Sequence, residues 1–227
     1  MTASPSSRRP TVVLVHGAFA ESASWNGVIA RLLDDGSPVV AVANPLRGVR
    51  TDAAYLAGVL DTLDGDVVLV AHSYGGMVTS NVHSDRVRAM VFIGAFAPDV
   101  GDSAATLSAR FPGSTLAETL QPVPLPDGDT DLYIRQDRYH AQFAADSPAT
   151  DAAVMAATQR PITRSAMNRC TAAGMLRSSA PNRNHDGTVR QAVPAEGSSS
   201  ADRVIGRWVA AITAASVAGE SAANWAW

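Results

Sequence analysis

The chain has 227 residues, 46% of them hydrophobic and 17% charged, with a formal net charge of -3. That length fits one domain, or a domain with a small insertion, and needs no disulfide or metal staple; the composition excludes wholesale disorder and gives no broad field for nucleic acid or an anionic membrane. One cysteine, Cys170, rules out an internal disulfide, no His or Cys cluster has metal-ligand spacing, and no apolar run approaches a membrane span, so the expectation is a cytoplasmic protein without a metal.

A polar N-terminus with Arg8 and Arg9 precedes the first apolar run, Thr11 to Val15, short and continuous as in a strand covered on both faces. Ser22 or Ser24 is placed to cap a helix from Trp25 to Leu33, which Asp34-Asp35-Gly36 stops. Pro38 to Val42 reads as a second strand ending at the turn-prone Asn44-Pro45. Thr51 or Asp52 then caps a helix whose apolar positions include Leu56, Val59, Leu60 and Leu63. After the Asp64-Gly65 turn, Asp66 to Ala71 is the third buried strand. Gly75-Gly76 opens a helix that reaches about His83, and Val87 to Ala95 is the fourth strand. Strands alternating with helices predict an α/β fold with right-handed crossovers and a mostly parallel sheet over residues 11–97.

From Pro98 the texture changes. Pro, Gly and Asp punctuate helix-forming stretches at Ser103 to Arg110, Asp131 to Ala145 and Ala149 to Thr158, with no strand-like run. A helical insertion of about 100–165 is therefore expected over one end of the sheet, between core segments 1–99 and about 166–227. Ser178 to Ser200 is polar and reads as loop, after which Asp202 caps an amphipathic helix carrying Val204, Ile205, Trp208, Val209 and Ile212.

The chemistry-bearing motif is Ala71-His72-Ser73-Tyr74-Gly75-Gly76, between a strand and a helix. A nucleophile elbow needs that context: a sharp turn holds the serine in strained geometry with its hydroxyl raised at the sheet edge. Small residues two before and two after the serine let strand and helix approach; Gly75 supplies one, and Ala71 stands where glycine is more usual. The helix N-terminus beside the serine favours developing negative charge. His16-Gly17-Ala18-Phe19 directly follows the first strand, where a Gly-containing bend can aim an N–H at an oxyanion, with Tyr74 supplying the second amide. His16 itself is read as a prop for the loop.

Val15-His16-Gly17-Ala18-Phe19, the Ser73 motif and Ala95-Phe96-Ala97-Pro98-Asp99, with Trp25 and Asn44-Pro45-Leu46-Arg47-Gly48, together resemble the α/β-hydrolase superfamily. The chain is most similar there to bacterial esterase-like members related to plant methylesterases and hydroxynitrile lyases, over about residues 10–165. The resemblance implies Ser73 as nucleophile, the amides of Ala18 and Tyr74 as oxyanion donors with Phe19 in the same substrate-binding set, and the insertion after Asp99 as a helical cap.

The C-terminal third departs from the family pattern. The family order is serine, then acid, then histidine on a loop after the last strand. Past residue 165 no Val/Ile-rich strand appears, and the only histidine is His185, beside Asp186 in a turn-like stretch. His185 is the candidate base, and Asp99, at the end of the fourth strand, is the alternative acid. His83 reads as a surface residue, and His140, beside Tyr139, is a pocket-facing candidate without an orienting partner. Two accounts fit the tail: a sheet lacking its last strands and covered by the Trp208 helix, or a reading frame displaced near codons 170 to 190.

The sequence thus predicts hydrolysis of a small carboxylic ester through an acyl-enzyme, with no cofactor, a small-molecule ester as partner, and neither nucleic acid nor membrane. Phe111, Leu116, Leu120, Tyr133, Ile134 and Phe143 are expected to make its pocket apolar. The alternative is a catalytically impaired hydrolase-fold protein that binds a small molecule or a partner because its histidine and acid are missing.

Overall fold

The computed structural model describes residues 9–111, 113–171 and the backbone of 190–191. Its centre is a parallel sheet of β1 (Thr11–Val15), β2 (Val39–Val42), β3 (Val67–Ser73) and β4 (Val87–Ala95), in spatial order β2-β1-β3-β4. Val12 lies opposite Val39 on one side and Val68 on the other, and Val70 lies opposite Val91. The continuous apolar runs follow from burial on both faces. Val13, Val15, Val67 and Leu69 pack with Leu56 and Leu60 of α2 (Val49–Asp61) and Met77 of α3 (Gly75–Thr79). Val12, Leu14, Val68 and Val70 pack on the other face with Trp25 and with Leu32 of α1 (Asn26–Asp34). Each such side chain, fully buried, contributes about 1.5–3 kcal/mol.

The order of the strands places the site. From β1 the chain goes to β2 on one side, then returns to β3 on the other side of β1. The winding direction reverses between β1 and β3, and open α/β sheets bind their ligands beyond the carboxyl ends of the strands at such a reversal. His16 to Phe19 leaves β1 there, and Ser73 ends β3 there.

Several local expectations are corrected. Ser22–Trp25 forms a 3-10 turn, and neither serine caps α1: Ser22 Oγ donates to Val42 O at 3.1 Å and Ser24 Oγ to Glu21 O at 2.7 Å. Helix α2 starts at Val49, before Thr51 and Asp52, and Asp52 binds the preceding amides from inside its first turn. Helix α3 ends at Thr79, short of His83. Ser103 does cap α4 (Ala104–Ala109), its hydroxyl accepting the Thr106 amide at 3.1 Å.

The insertion is not purely helical. Around α5 (Leu116–Thr119), α6 (Gln136–Phe143) and α7 (Ala149–Thr158), β5 (Leu120–Pro124), β6 (Thr130–Ile134) and β7 (Ile162–Thr163) form an antiparallel sheet; α8 (Arg164–Asn168) follows. The expected helix over Asp131 to Ala145 is split: Thr130–Ile134 pairs as a strand, and helix begins only at Gln136. Asp127-Gly128 makes the turn, with Gly128 at φ +87° and Leu125 N bonded to Asp129 O at 2.9 Å. Pro122 and Pro124 bar the partner segment from helix and are tolerated because β5 is an edge strand.

At the β4 edge Arg190–Gln191 pairs antiparallel with Val91 and Phe92, within the stretch expected to be loop. The expected Asp202 helix, His185, Asp186 and both accounts of the tail otherwise lie outside the described residues. Among the described residues no helix is long and apolar enough to cross a membrane.

Candidate active site

Ser73 is the last residue of β3, and α3 begins two residues later. Its φ is +50°, in the left-handed region that an L-residue rarely adopts. The surroundings impose it. A Cβ on Gly75 would lie 2.4 Å from Val15 O, and one on Gly76 2.0 Å from Phe96 O, so only glycines let the turn sit between the ends of β1 and β4. Phe96 N donates to Ser73 O at 3.1 Å, and Met77 N to Tyr74 O at 2.9 Å, fixing the bend on both sides. With five residues, α3 carries little macrodipole, so the local N–H groups matter more than the helix as a whole.

Gly17 packs directly on the serine: a Cβ there would lie 2.6 Å from Ser73 Cβ and 3.0 Å from its Oγ. The hydroxyl thus stands against the loop that leaves β1. That loop is rigid. His16 Nδ1 donates to Gly17 O at 2.8 Å, and Asn44 Nδ2 donates to His16 O at 3.0 Å. Among the described residues the amides of Ala18 and Tyr74 have no acceptor, whereas the Phe19 amide is taken by Arg160 O at 3.1 Å. The Phe19 amide is therefore engaged within the fold. With φ +60°, it is wholly buried, its ring edge-on to Phe143 and its carbonyl accepting Tyr139 Oη at 2.7 Å.

Among the described residues Ser73 Oγ has no hydrogen-bond partner, so no described histidine reaches it. His16 and His72 are buried and neutral. Burial lowers His16 to about 4, with Gly17 O and Glu21 opposing and the Arg160 cation adding to the effect. Burial, then the neighbouring His16, lowers His72 to about 3. His83 is exposed, and His140 is exposed with Nε2 on Ser147 O at 3.0 Å, so His140 does not face a pocket. Asp99 is exposed on the loop after β4, its amide on Asp102 Oδ2 and its carbonyl accepting Thr171 Oγ1, both at 2.9 Å; no described histidine pairs with it. The apolar residues expected to line a pocket divide differently: Leu116, Ile134 and Phe143 join the main core, and Phe111 is 65% exposed. Among the described residues no cluster of His, Cys, Asp or Glu could hold a metal ion.

One neighbour of the elbow was not singled out by its spacing. Asp52 is fully buried, accepting the Arg47 amide at 3.0 Å, the Gly48 amide at 3.2 Å and the Tyr74 hydroxyl at 3.1 Å. Burial pushes its carboxyl above the ordinary carboxylate range, against those three donors and the Arg47 charge. The Tyr74 phenol is pushed far up by burial and then by the charge of Asp52.

Residues 12–223 match a family model described as the alpha/beta hydrolase family. The chain is similar to a carbendazim hydrolyzing esterase of Nocardioides sp. (strain SG-4G), 32% identical over 146 residues that cover 49% of this chain and 59% of that protein. It is also similar to methylesterase 7 of Arabidopsis thaliana, 35% identical over 107 residues covering 40% and 41%. It thus spans about half the length of the curated relatives it matches. Among solved structures it resembles polyneuridine aldehyde esterase, with a TM-score of 0.59 at 19% identity over 71% of this chain and 73% of that one. It likewise resembles a pyrethroid hydrolase from Sphingobium faniae JZ-2, with a TM-score of 0.55 at 19% identity over 72% of each chain. At such identity the likeness is one of fold.

Proposed function

The chain belongs to the alpha/beta hydrolase family, and on that premise we propose that it hydrolyses a small carboxylic ester through a covalent intermediate on Ser73. The observation that carries this reading is the serine's φ of +50° with its side chain against Gly17, at the carboxyl end of β3 where the strand order reverses. A hydroxyl held that way in a buried turn has no structural partner among the described residues to explain it. Esterases among the relatives support the same reaction class.

In the proposed reaction Ser73 Oγ attacks the ester carbonyl while a histidine takes its proton. The amides of Ala18 and Tyr74 donate to the oxyanion, and the same histidine protonates the departing alcohol. Water then attacks the acyl carbon, the histidine takes its proton, and the acid leaves as Ser73 is regenerated. No cofactor enters. We assign the base to His185, the only histidine in the sequence past residue 165, where the family order of serine, acid and histidine puts it. Asp99 is assigned as its acid partner, from its place after β4. The exposed Cys170 suits a reducing, cytoplasmic setting.

The test is turnover of a neutral short-chain nitrophenyl ester by the full chain and by Ser73→Ala, His185→Ala and Asp99→Asn. Losing the serine or the base alone should cost on the order of 10⁶ in kcat, as for the members of a catalytic triad. A specific observation, the unpartnered Ser73 hydroxyl, also favours a second reading: an impaired hydrolase-fold protein that binds a small molecule or a partner. Weak turnover by the full chain, unchanged in His185→Ala but lost in Ser73→Ala, selects that reading.

A further inference from the structure

Asp52 is an ionisable group placed where a hydrophobic side chain would cost less. It is 0% exposed in the first turn of α2, 22 positions before the residue it binds, Tyr74, which is 1% exposed. A buried carboxylate is tolerated only when its lone pairs are filled, and three donors fill them here: two consecutive backbone amides and the Tyr74 hydroxyl. Among the described residues that hydroxyl has no other partner.

The two ends of this connection differ in kind. Tyr74 is the residue after Ser73, and its amide is one of the two that the proposed reaction uses. The loop before α2 holds Leu46 at φ +60° and is tied to the insertion: Leu46 O accepts Thr163 N at 3.1 Å. Arg47 Nη2 donates to Pro161 O at 2.9 Å, Arg47 Nε donates to Pro45 O at 3.1 Å, and Arg47 Nη1 pairs with the Asp131 carboxylate. Asp52 therefore stands between the elbow and the loop on which the insertion rests.

We propose that Asp52 is a positioning residue: by holding the Tyr74 side chain to the loop 45–48, it fixes the Tyr74 amide for the oxyanion and ties the elbow to the insertion. The proposal rests on Ser73 acting as nucleophile. In Asp52→Asn the new amide nitrogen must face a backbone donor, the Arg47 amide in one orientation or the Gly48 amide in the other, so the tie between the side chain that seats Tyr74 and the loop is broken. Tyr74→Phe removes the same bond from the other side and keeps the ring's volume.

Steady-state kinetics on the nitrophenyl ester, run below each variant's unfolding transition and per folded molecule, provide the test. Complete loss of an oxyanion donor costs about 10²–10³ in kcat. A misplaced one should cost less, roughly 10- to 100-fold in kcat for Asp52→Asn, with KM held within about two-fold. Tyr74→Phe should fall in the same direction, and the double variant should be no worse than the poorer single one, because both interrupt one connection between the elbow and the loop. A higher KM with kcat intact, an additive double variant, or an unchanged kcat in Tyr74→Phe with only a lower melting point would overturn the positioning role. If the unmodified chain shows no Ser73-dependent turnover, the functional reading falls and this proposal with it; turnover that persists unchanged in both variants overturns the proposal alone.

Discussion

Ser73 keeps a backbone conformation that costs a residue with a side chain about 1–3 kcal/mol, and glycines on three sides make room for it. These contacts separate reactivity from stability. In Gly17→Ala the new methyl would meet the serine side chain itself. Labelling of Ser73 by a fluorophosphonate should then slow at least roughly ten-fold, on the scale by which small misplacements reduce rate. In Gly76→Ala the methyl would meet the Phe96 carbonyl, which belongs to the frame of the sheet. Urea unfolding should show a loss of about 3 kcal/mol or more. Equal stability of Gly76→Ala and the parent would contradict the packing described. The glycines and the serine were legible in the sequence because the elbow needs them at fixed spacing. Asp52 was not: its spacing marked a helix cap, and only the fold brings its carboxylate to the phenol of Tyr74.

The strands of the first hundred residues follow their apolar patterns closely, with β1 and β4 over the expected residues, and in the insertion α7 does likewise. The insertion was misread because strand β6 runs straight into α6, so that one apolar stretch concealed a change of period at Arg135. The hairpin signal, Asp127-Gly128 between alternating residues, was present but lay beside prolines that read only as breakers. Gln159 joins these elements. Its Oε1 accepts the Ile134 amide, and its Nε2 donates to the carbonyls of Ile134 and Ala156, all at 2.9 Å. In Gln159→Leu the buried amide and carbonyl of Ile134 lose their partners, which should cost about 1–3 kcal/mol in urea unfolding. An unchanged midpoint would show that this clamp contributes nothing to holding β6 against α7.

At the scale of the molecule, the reversal of strand order between β1 and β3 brings together two segments more than fifty residues apart; the alternating pattern predicts the parallel sheet but not the order of its strands. The histidines of those segments set a pH dependence. His16 and His72 stay neutral when folded, down to about 4 and about 3, while each takes up a proton near 6.5 when unfolded. Their contribution to stability is therefore complete above 6.5 and is lost as pH falls, by about 1.4 kcal/mol per pH unit for each histidine. Asp52, whose carboxyl is raised, works in the opposite sense at the acid end. Unfolding measured at pH 7, 6 and 5 should show the fall, and His16→Asn should make it shallower; a flat profile would contradict two buried neutral rings. The account as a whole stands on the serine. Reaction of the full chain with a fluorophosphonate, with the adduct located by mass spectrometry, tests it most directly. One adduct per chain on Ser73, formed far faster than in urea-unfolded protein and absent from Ser73→Ala, is the predicted result; labelling elsewhere, or at the unfolded rate, would contradict it.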